Sequence, residues 1–363
     1  MSTDSISVLF AGGGTGGHLF PGIAVAHELR RRHPEVELIF VGAGRTLEAR
    51  VISREGFALE QIRTSGLVGQ SWGGFVKGLA LIPVSLVDAA VIIHRFSPRL
   101  VVGLGGYSSG PMVMCAALQR LPTMVMEQNS VPGMTNRLLA RFVHASAVPS
   151  ETALPYFVGT GFVSGNPVRA GFFDTPRPKY SPLQVHVLVV GGSQGAHEIN
   201  VSMVEAAPTI SASSRHVRIT HQTGERDVAF VRDGYSAAGI TARVEPFLEE
   251  MEREMAMADL IVCRAGATTL AEVAASGRAA ILVPFPHAAH DHQRRNAEVV
   301  VDRGGAEMID QRELSGSILG NRIIELASDD GRRKAMADAN LHLARPDATT
   351  LIVDRMESLL SLL

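Results

Sequence analysis

The sequence predicts an α/β protein of two Rossmann-like, doubly wound domains, and three observations carry that expectation. Eight short apolar runs rich in Val, Ile and Leu recur along the chain, each ending in glycine or a small polar residue before a helical pattern begins. Strands that are apolar throughout and alternate with helices belong to parallel sheets covered on both faces. The series restarts after "VGTGFVSGNPVRAGFFDTPRPKYSP" at 158–182, whose glycines and prolines read as a linker between similar halves. Finally, 363 residues, 46% of them apolar, suffice for two cores, since a domain takes about 100–200 residues.

Taken in order, the first half offers "ISVLFAGGG", "VELIFVGAG", "LVVGLGGYSSG" and "TMVMEQN", and the second "VHVLVVGGSQG", "HVRITHQTG", "LIVCRAGATT" and "AAILVPFP". The expected domains are 1–165 and 166–345. The last segment, "TTLIVDRMESLLSLL", spaces Leu351, Ile352, Met356, Leu359 and Leu360 at helical intervals. A terminal amphipathic helix at about 346–363 is therefore expected, packing back on the first domain.

A net charge of −2 gives no chain-wide positive field, so nucleic acid is not an expected partner. Cys115 and Cys263, the two cysteines, stand in apolar contexts that suit a reducing, cytosol-facing compartment better than a disulfide framework. The first residues lack a basic stretch before their apolar run, so they read as the start of the fold and not as a signal peptide. The longest apolar tract, Gly78 to Phe96, is interrupted by Pro83, Asp88 and His94; it reads as a helix that touches a membrane without crossing it.

"AGGGTGGHLFPGIAVAHEL" follows the first strand, and its Gly12, Gly14 and Gly17 fit a dinucleotide fingerprint. That fingerprint also needs a carboxylate at the end of the second strand. Here the strand ends at Gly42-Ala43-Gly44, and Glu48 lies beyond it in the next helix. Similar glycine turns recur as "LGGYSSG" (104–110) and "VGGSQGA" (190–196). Strand-to-helix turns of this kind bind phosphate through backbone N–H groups and the positive helix end. The plain alternative is that the glycines only permit tight turns.

His18 closes the first loop, where a neutral imidazole can take a proton from a hydroxyl; otherwise it is a helix-start histidine bonded to backbone. Glu127, Gln128 and Asn129 end a strand, where doubly wound sheets place ligand contacts, unless they form a polar loop with an Asn cap. Thr268, Thr269 and Glu272 suit a nucleotide, the carboxylate accepting ribose hydroxyls, although Thr269 to Glu272 also spells a capping box. His287, His290, Asp291 and His292 invite a metal reading, but the spacing is not that of a helical pair and no cysteine is near, so no metal is expected. Gln293 and Asn296 are better placed as neutral hydrogen-bonding groups beside a nucleotide. A lysine-poor phosphate site without metal suits glycosyl transfer from a sugar nucleotide, because amides and helix dipoles stabilise a leaving diphosphate.

The set "GGGTGGHLFPGIAVAHEL", "GGYSSGP", "EQNSVPGMTNRLLA", "GNPVR", "GGSQGA", "HQTG", "CRAGATTLAE" and "HQRRNA" resembles the cell-wall N-acetylglucosaminyltransferases of glycosyltransferase family 28, in order and over nearly the whole chain. The resemblance implies a GT-B fold, two Rossmann-like domains separated by a cleft. It also implies inverting transfer of N-acetylglucosamine from UDP-N-acetylglucosamine to the muramyl 4-hydroxyl of undecaprenyl-pyrophosphoryl-muramyl-pentapeptide. The enzyme it describes needs no cofactor and works as a peripheral protein at the cytoplasmic face of the bacterial membrane.

Carried over by position, Thr15, Gly16 and Gly17 match the donor-contacting loop, Asn129 its amide, Arg169 the arginine of "GNPVR" and Ser193 the serine of "GGSQGA". Ala267, Thr268, Thr269, Leu270, Ala271 and Glu272 match the donor segment that holds the ribose, Gln293 the glutamine ahead of "NA", and Leu248 a backbone contact to uracil. His18 matches the candidate base, with Glu127 as its competitor. One departure is that the family often shows Asp-Asn-His-Gln where this chain has His290, Asp291, His292 and Gln293.

On the acceptor side, Gly13, Gly14, Gly105, Gly106, Tyr107 and Ser108 are the candidate cradle for the lipid diphosphate. Trp72, Phe75, Leu79 and Ile82, with Lys77, Arg137 and Arg141, could form a face for an anionic inner-leaflet membrane, or the aliphatic ones could be helix core. Three other readings stand beside the transferase. A nicotinamide oxidoreductase is opposed by the missing acid after the second strand; a UDP-N-acetylglucosamine epimerase and a non-enzymatic sugar-nucleotide sensor stay open.

Overall fold

The computed structural model describes residues 6–13, 16–64, 72–176, 184–213, 216–288 and 291–361; for Leu47 and residues 72–80 it describes the backbone alone. The chain forms two compact units, residues 1–169 together with 347–363, and residues 170–346.

The first unit runs β1 (Ser7–Gly12), α1 (Gly16–Arg32), β2 (Glu37–Gly42), α2 (Thr46–Arg54), β3 (Ala58–Gln61), α3 (Trp72–Phe96), β4 (Leu100–Gly105), α4 (Ser109–Leu118), β5 (Thr123–Met126), α5 (Met134–Leu139), β6 (Ala145–Val148), a 3₁₀ turn (Glu151–Tyr156) and β7 (Gly161–Val163). The second runs α6 (Gly171–Asp174), β8 (Gln184–Val190), α7 (His197–Ser211), β9 (His216–Gln222), α8 (Val228–Ala237), β10 (Ala242–Glu245), α9 (Met251–Met257), β11 (Leu260–Cys263), α10 (Ala267–Ser276), β12 (Ala279–Leu282), α11 (His292–Asp302), β13 (Ala306–Met308), α12 (Gly316–Ser328) and α13 (Asp330–Leu343). A last helix, α14 (Ala348–Leu360), returns to the first unit.

Both sheets are parallel, ordered β3-β2-β1-β4-β5-β6-β7 and β10-β9-β8-β11-β12-β13. Alternate residues of one strand enter different cores: Val8 and Phe10 face one side of the first sheet, Leu9 and Ala11 the other. This is why the central strands carry no polar alternation. Helices cover both sides, and burial there contributes about 25 cal/mol per Å² of apolar surface removed from water.

The stretch 158–182 is not simply a linker. Residues 161–163 form β7 at the edge of the first sheet, paired with β6, so the first unit continues to Arg169. In α14, Ile352, Val353, Met356 and Leu360 enter the core while Leu351 is exposed, a correction to the expected stripe. The stripe is set by the 352/356/360 ladder at four-residue steps, which leaves 351 on the flank. Arg32 fastens this helix, donating to Asp354 (2.6 Å) and Glu357 (3.0 Å), and His33 Nε2 lies 2.9 Å from Glu357.

Candidate functional site

The strand order reverses between β1 and β4 in the first sheet and between β8 and β11 in the second. Doubly wound folds bind ligands outside the carboxyl ends of the strands at that point. The singled-out motifs of each unit lie at those ends.

In the first unit, β1 ends at Gly12 and the neighbouring β4 at Gly105. Their glycine turns touch: a Cβ on Gly106 would stand 2.7 Å from the Gly13 carbonyl oxygen. Tyr107 is exposed beside them and Ser108 is buried. Gly105 has φ +96°, and a Cβ there would stand 2.9 Å from His18 Nδ1. Only glycine leaves room for that imidazole. Gly16 and Gly17 open α1, while Gly14 and Thr15 lie outside the described residues.

His18 Nδ1 lies 3.0 Å from the amide oxygen of Gln128, just past β5. Next to Gln128, Glu127 is 4% exposed and organises the turn that follows. Its Oε1 accepts from the Gln128 and Asn129 backbone N–H groups (3.0 and 2.9 Å) and from Asn129 Nδ2 (3.1 Å). Its Oε2 accepts from the Gly133 N–H and from Asn136 Nδ2, both at 3.0 Å. A carboxylate offers about four lone-pair directions. Five donors already occupy Glu127, so its geometry is that of an organiser and speaks against the competing role of base. Asn129 is not a helix cap: α5 is capped at Gly133 with no side-chain bond.

Asn166, from "GNPVR", donates to the Gln128 carbonyl (2.9 Å), and the Arg169 guanidinium sits 5.0 Å above the Phe20 ring. Glu48 lies past the second strand in the next helix, as its place in the sequence implies, yet its carboxylate comes back to the first glycine loop. It is the third residue of α2 and accepts from the Arg45 N–H (3.2 Å) in a capping box, with its carboxylate against Gly13 and Gly42. Because α2 starts directly after the short turn that follows β2, its first turn lies over the ends of β1 and β2.

In the second unit, the turn between β8 and α7 carries Ser193, half-buried. Gly195, at φ +77°, is pressed against the Thr223 carbonyl so closely that a Cβ would collide with it. Gln222, which sequence reasoning passed over inside "HQTG", joins two loops: its Nε2 donates to the Gly192 carbonyl and its Oε1 accepts from the Leu248 N–H, each at 2.8 Å. Leu248 is 2% exposed and its N–H is already engaged, so a backbone contact from it to a base would use the carbonyl.

Behind these loops, buried His221 meets the Tyr235 hydroxyl through Nδ1 (2.8 Å) and Asn200 Oδ1 through Nε2 (3.0 Å). Burial pushes the imidazole down to about 3, so it stays neutral. Asn200 donates in turn to Asp227 (2.8 Å), which also meets His197 at the start of α7 (2.9 Å).

The capping-box alternative for Thr269 and Glu272 falls. Helix α10 begins at Ala267 behind an extended Gly266, which puts Thr269 inside the first turn. Thr268, Leu270 and Glu272 are buried, and Ala267, Thr269 and Ala271 half-buried. The Glu272 charge is felt by Cys263 at the end of β11, whose thiol is pushed up to about 12, chiefly by burial. Arg264, also missed from sequence, directly follows that strand. It donates to the Val283 and Pro284 carbonyls (3.1 and 3.3 Å) and lies 5.5 Å from the Phe285 ring. Burial lowers it to about 10, which leaves it cationic at neutral pH. Gln293 accepts from the Phe285 N–H (3.0 Å), holding that loop from α11, where Asn296 is buried one turn on.

His287 packs edge-on to Phe285, His292 opens α11 behind Asp291, and His290 lies outside the described residues. Among the described residues no group of three His, Cys, Asp or Glu could hold a metal ion.

Trp72, Phe75, Lys77 and Leu79 fall on the first turns of α3, and their side chains lie outside the described residues. Arg137 and Arg141 are exposed on and after α5, next to exposed Met134, Leu138 and Phe142. The last two were not read from sequence, although "NRLLARF" places them four apart, each directly after one of the arginines. No helix among the described residues is long and apolar enough to cross a membrane.

Residues 8–148 match the glycosyltransferase family 28 N-terminal domain, and residues 186–352 the family's C-terminal domain. The chain is 44% identical to UDP-N-acetylglucosamine–N-acetylmuramyl-(pentapeptide) pyrophosphoryl-undecaprenol N-acetylglucosamine transferase of Anaeromyxobacter dehalogenans, over 96% of this chain and 91% of that one. It is also 44% identical to the protein of that name from Geobacter sulfurreducens, over 97% and 98%. Among solved structures, Acinetobacter baumannii MurG aligns with a TM-score of 0.76 and 29% identity, covering 97% of this chain and 99% of that one. A UDP-N-acetylglucosamine 2-epimerase, 13% identical with a TM-score of 0.72 over 97% of this chain and 95% of that one, shares the fold. Two parallel α/β sheets with glycine turns at their switch points, matched in both halves by one family's domains, make this chain a GT-B protein that belongs to glycosyltransferase family 28.

Proposed function

We propose that the protein transfers N-acetylglucosamine from UDP-N-acetylglucosamine to the muramyl 4-hydroxyl of undecaprenyl-pyrophosphoryl-muramyl-pentapeptide, forming the lipid-linked disaccharide precursor of peptidoglycan. The observation that carries this reading is the 44% identity, over 96% of the chain, to transferases named for that reaction. His18 takes the proton of the acceptor hydroxyl as its oxygen attacks the anomeric carbon. The bond from that carbon to the diphosphate breaks on the opposite face, UDP leaves with the electron pair, and the configuration inverts. The growing charge on UDP is met by N–H groups and the helix dipole at the turn before α7, where Ser193 sits.

On the donor, Glu272 accepts from the ribose, Leu248 meets the uracil, Gln293 the sugar, and Thr15, Gly16, Gly17, Asn129, Arg169 and Ala267 to Ala271 complete the contacts. On the acceptor, Gly13, Gly14 and Gly105 to Ser108 cradle the diphosphate. The protein docks on the anionic cytoplasmic face of the cell membrane through the α3 tract with Trp72, Phe75, Lys77 and Leu79, and through Leu138 and Phe142 beside Arg137 and Arg141. Free, buried Cys115 and Cys263 suit that reducing side. No cofactor enters the scheme. The test is radiolabel transfer from UDP-N-acetylglucosamine to a short-chain muramyl-pentapeptide lipid with excess chelator. Labelled disaccharide lipid supports the reading; conversion of the donor without acceptor would replace it with the epimerase.

A further inference from the structure

We infer that Gln128 holds His18 in the tautomer that carries its proton on Nδ1 and so leaves the Nε2 lone pair for the acceptor; the catalytic meaning rests on the reading of His18 as base. The Gln128 side chain has one workable orientation. Its Nε2 faces two backbone carbonyls, Leu104 (3.4 Å) and Met126 (3.3 Å). Carbonyls only accept, so the amide must present its NH₂ group to them, and a flip would set its oxygen against two others. The oxygen is thereby committed to His18 Nδ1 at 3.0 Å. An amide oxygen also only accepts, so the ring must donate from Nδ1.

The main chain of Gln128 is pinned as well. Its N–H donates to Glu127 Oε1 (3.0 Å) and its carbonyl accepts from Asn166 Nδ2 (2.9 Å). Across the ring, Gly105 brings backbone close to Nδ1 and Cε1 because it has no Cβ. Neutral histidine free in water favours the other tautomer, with the proton on Nε2, and in that form Nε2 could not take one up. Gln128 therefore does by an uncharged hydrogen bond what an orienting carboxylate does in a catalytic triad.

The direct test is long-range ¹H–¹⁵N spectroscopy of the full-length protein labelled at its histidine rings, with the His18 signal assigned by its loss in His18→Gln. At mildly alkaline pH the expected pattern is that of an Nδ1-protonated ring; an Nε2-protonated pattern overturns the inference. Gln128→Met keeps the length and removes the acceptor. It is expected to move the His18 signal toward the other tautomer and lower kcat roughly 10–100-fold, the scale for losing an orienting partner, with KM for UDP-N-acetylglucosamine unchanged. A fall in kcat with the tautomer unchanged would make Gln128 merely structural and also overturn the inference. Full turnover in His18→Ala, with the Nδ1 pattern intact in the unsubstituted protein, would remove the base reading while leaving the role of Gln128 standing.

Discussion

Glu127→Gln is expected to lower the stability of the first unit and the rate of transfer together. The carboxylate takes three donors on Oε1 and two on Oε2. Whichever position the new NH₂ group takes, at least two N–H donors face another donor. A buried donor left without an acceptor costs about 1–3 kcal/mol. Some of this is recoverable: Asn136 Oδ1 is buried with no hydrogen-bond partner among the described residues, so a flip of that amide would meet the new NH₂ group, though it would take from the Met126 carbonyl the nearer of two donors (3.0 Å), leaving Gln128 Nε2 (3.3 Å). A net loss of about 2–4 kcal/mol remains, which in a unit of this size lowers the melting temperature by roughly 4–16 °C. Displacement of Gln128 and Asn129 should reduce kcat by about 10-fold or more. Calorimetry and the transfer assay on one preparation decide the matter. Unchanged melting with turnover lost would refute the reasoning and return Glu127 to the role of base.

Gly195→Ala puts a methyl group into the Thr223 carbonyl at a left-handed φ, so affinity for UDP by titration calorimetry should fall at least about 10-fold; an unchanged Kd would separate this turn from the donor site. Gly105→Ala should displace the His18 ring and lower kcat while leaving UDP affinity intact, and full activity would show that the ring is not seated there. Because burial lowers His221 to about 3, the unfolded chain binds a proton between pH ~6.5 and ~3 that the native state refuses, so stability is full above this window and is lost as pH falls through it. The slope is at most about 1.4 kcal/mol per pH unit, and urea midpoints of His221→Gln should show a flatter dependence than those of the parent. Leu138→Glu combined with Phe142→Glu should weaken sedimentation with phosphatidylglycerol vesicles by about 10-fold while sparing transfer to a water-soluble acceptor; unaltered sedimentation would move the docking face elsewhere.

Eight strands were legible as apolar runs, but β3 ("ALEQ"), β6, β7 ("GFV"), β10 ("ARVE") and β13 were not. They are three or four residues long, several lie at or beside sheet edges, and so few positions carry no period. Local patterns misled where a neighbour offered something better. Thr269 to Glu272 has the form of a capping box, yet Gly266 lets α10 begin earlier. Position in the sequence puts Glu48 past the second strand in the next helix, but does not show that the helix start folds it back over Gly13.

The sequence by itself determined the glycine turns, the parallel sheets and the returning terminal helix, because φ preferences, two-sided burial and helical period are local properties written into short stretches. Only the tertiary structure decided which polar groups meet. His18 finds Gln128 across 110 positions of chain, Gln222 joins Gly192 to Leu248, and Glu127 spends its carboxylate on its own turn. Strand order brings such partners within 3 Å, and hydrogen-bond geometry at that distance, which no spacing in the chain encodes, fixes which nitrogen holds a proton and which carboxylate is free to act.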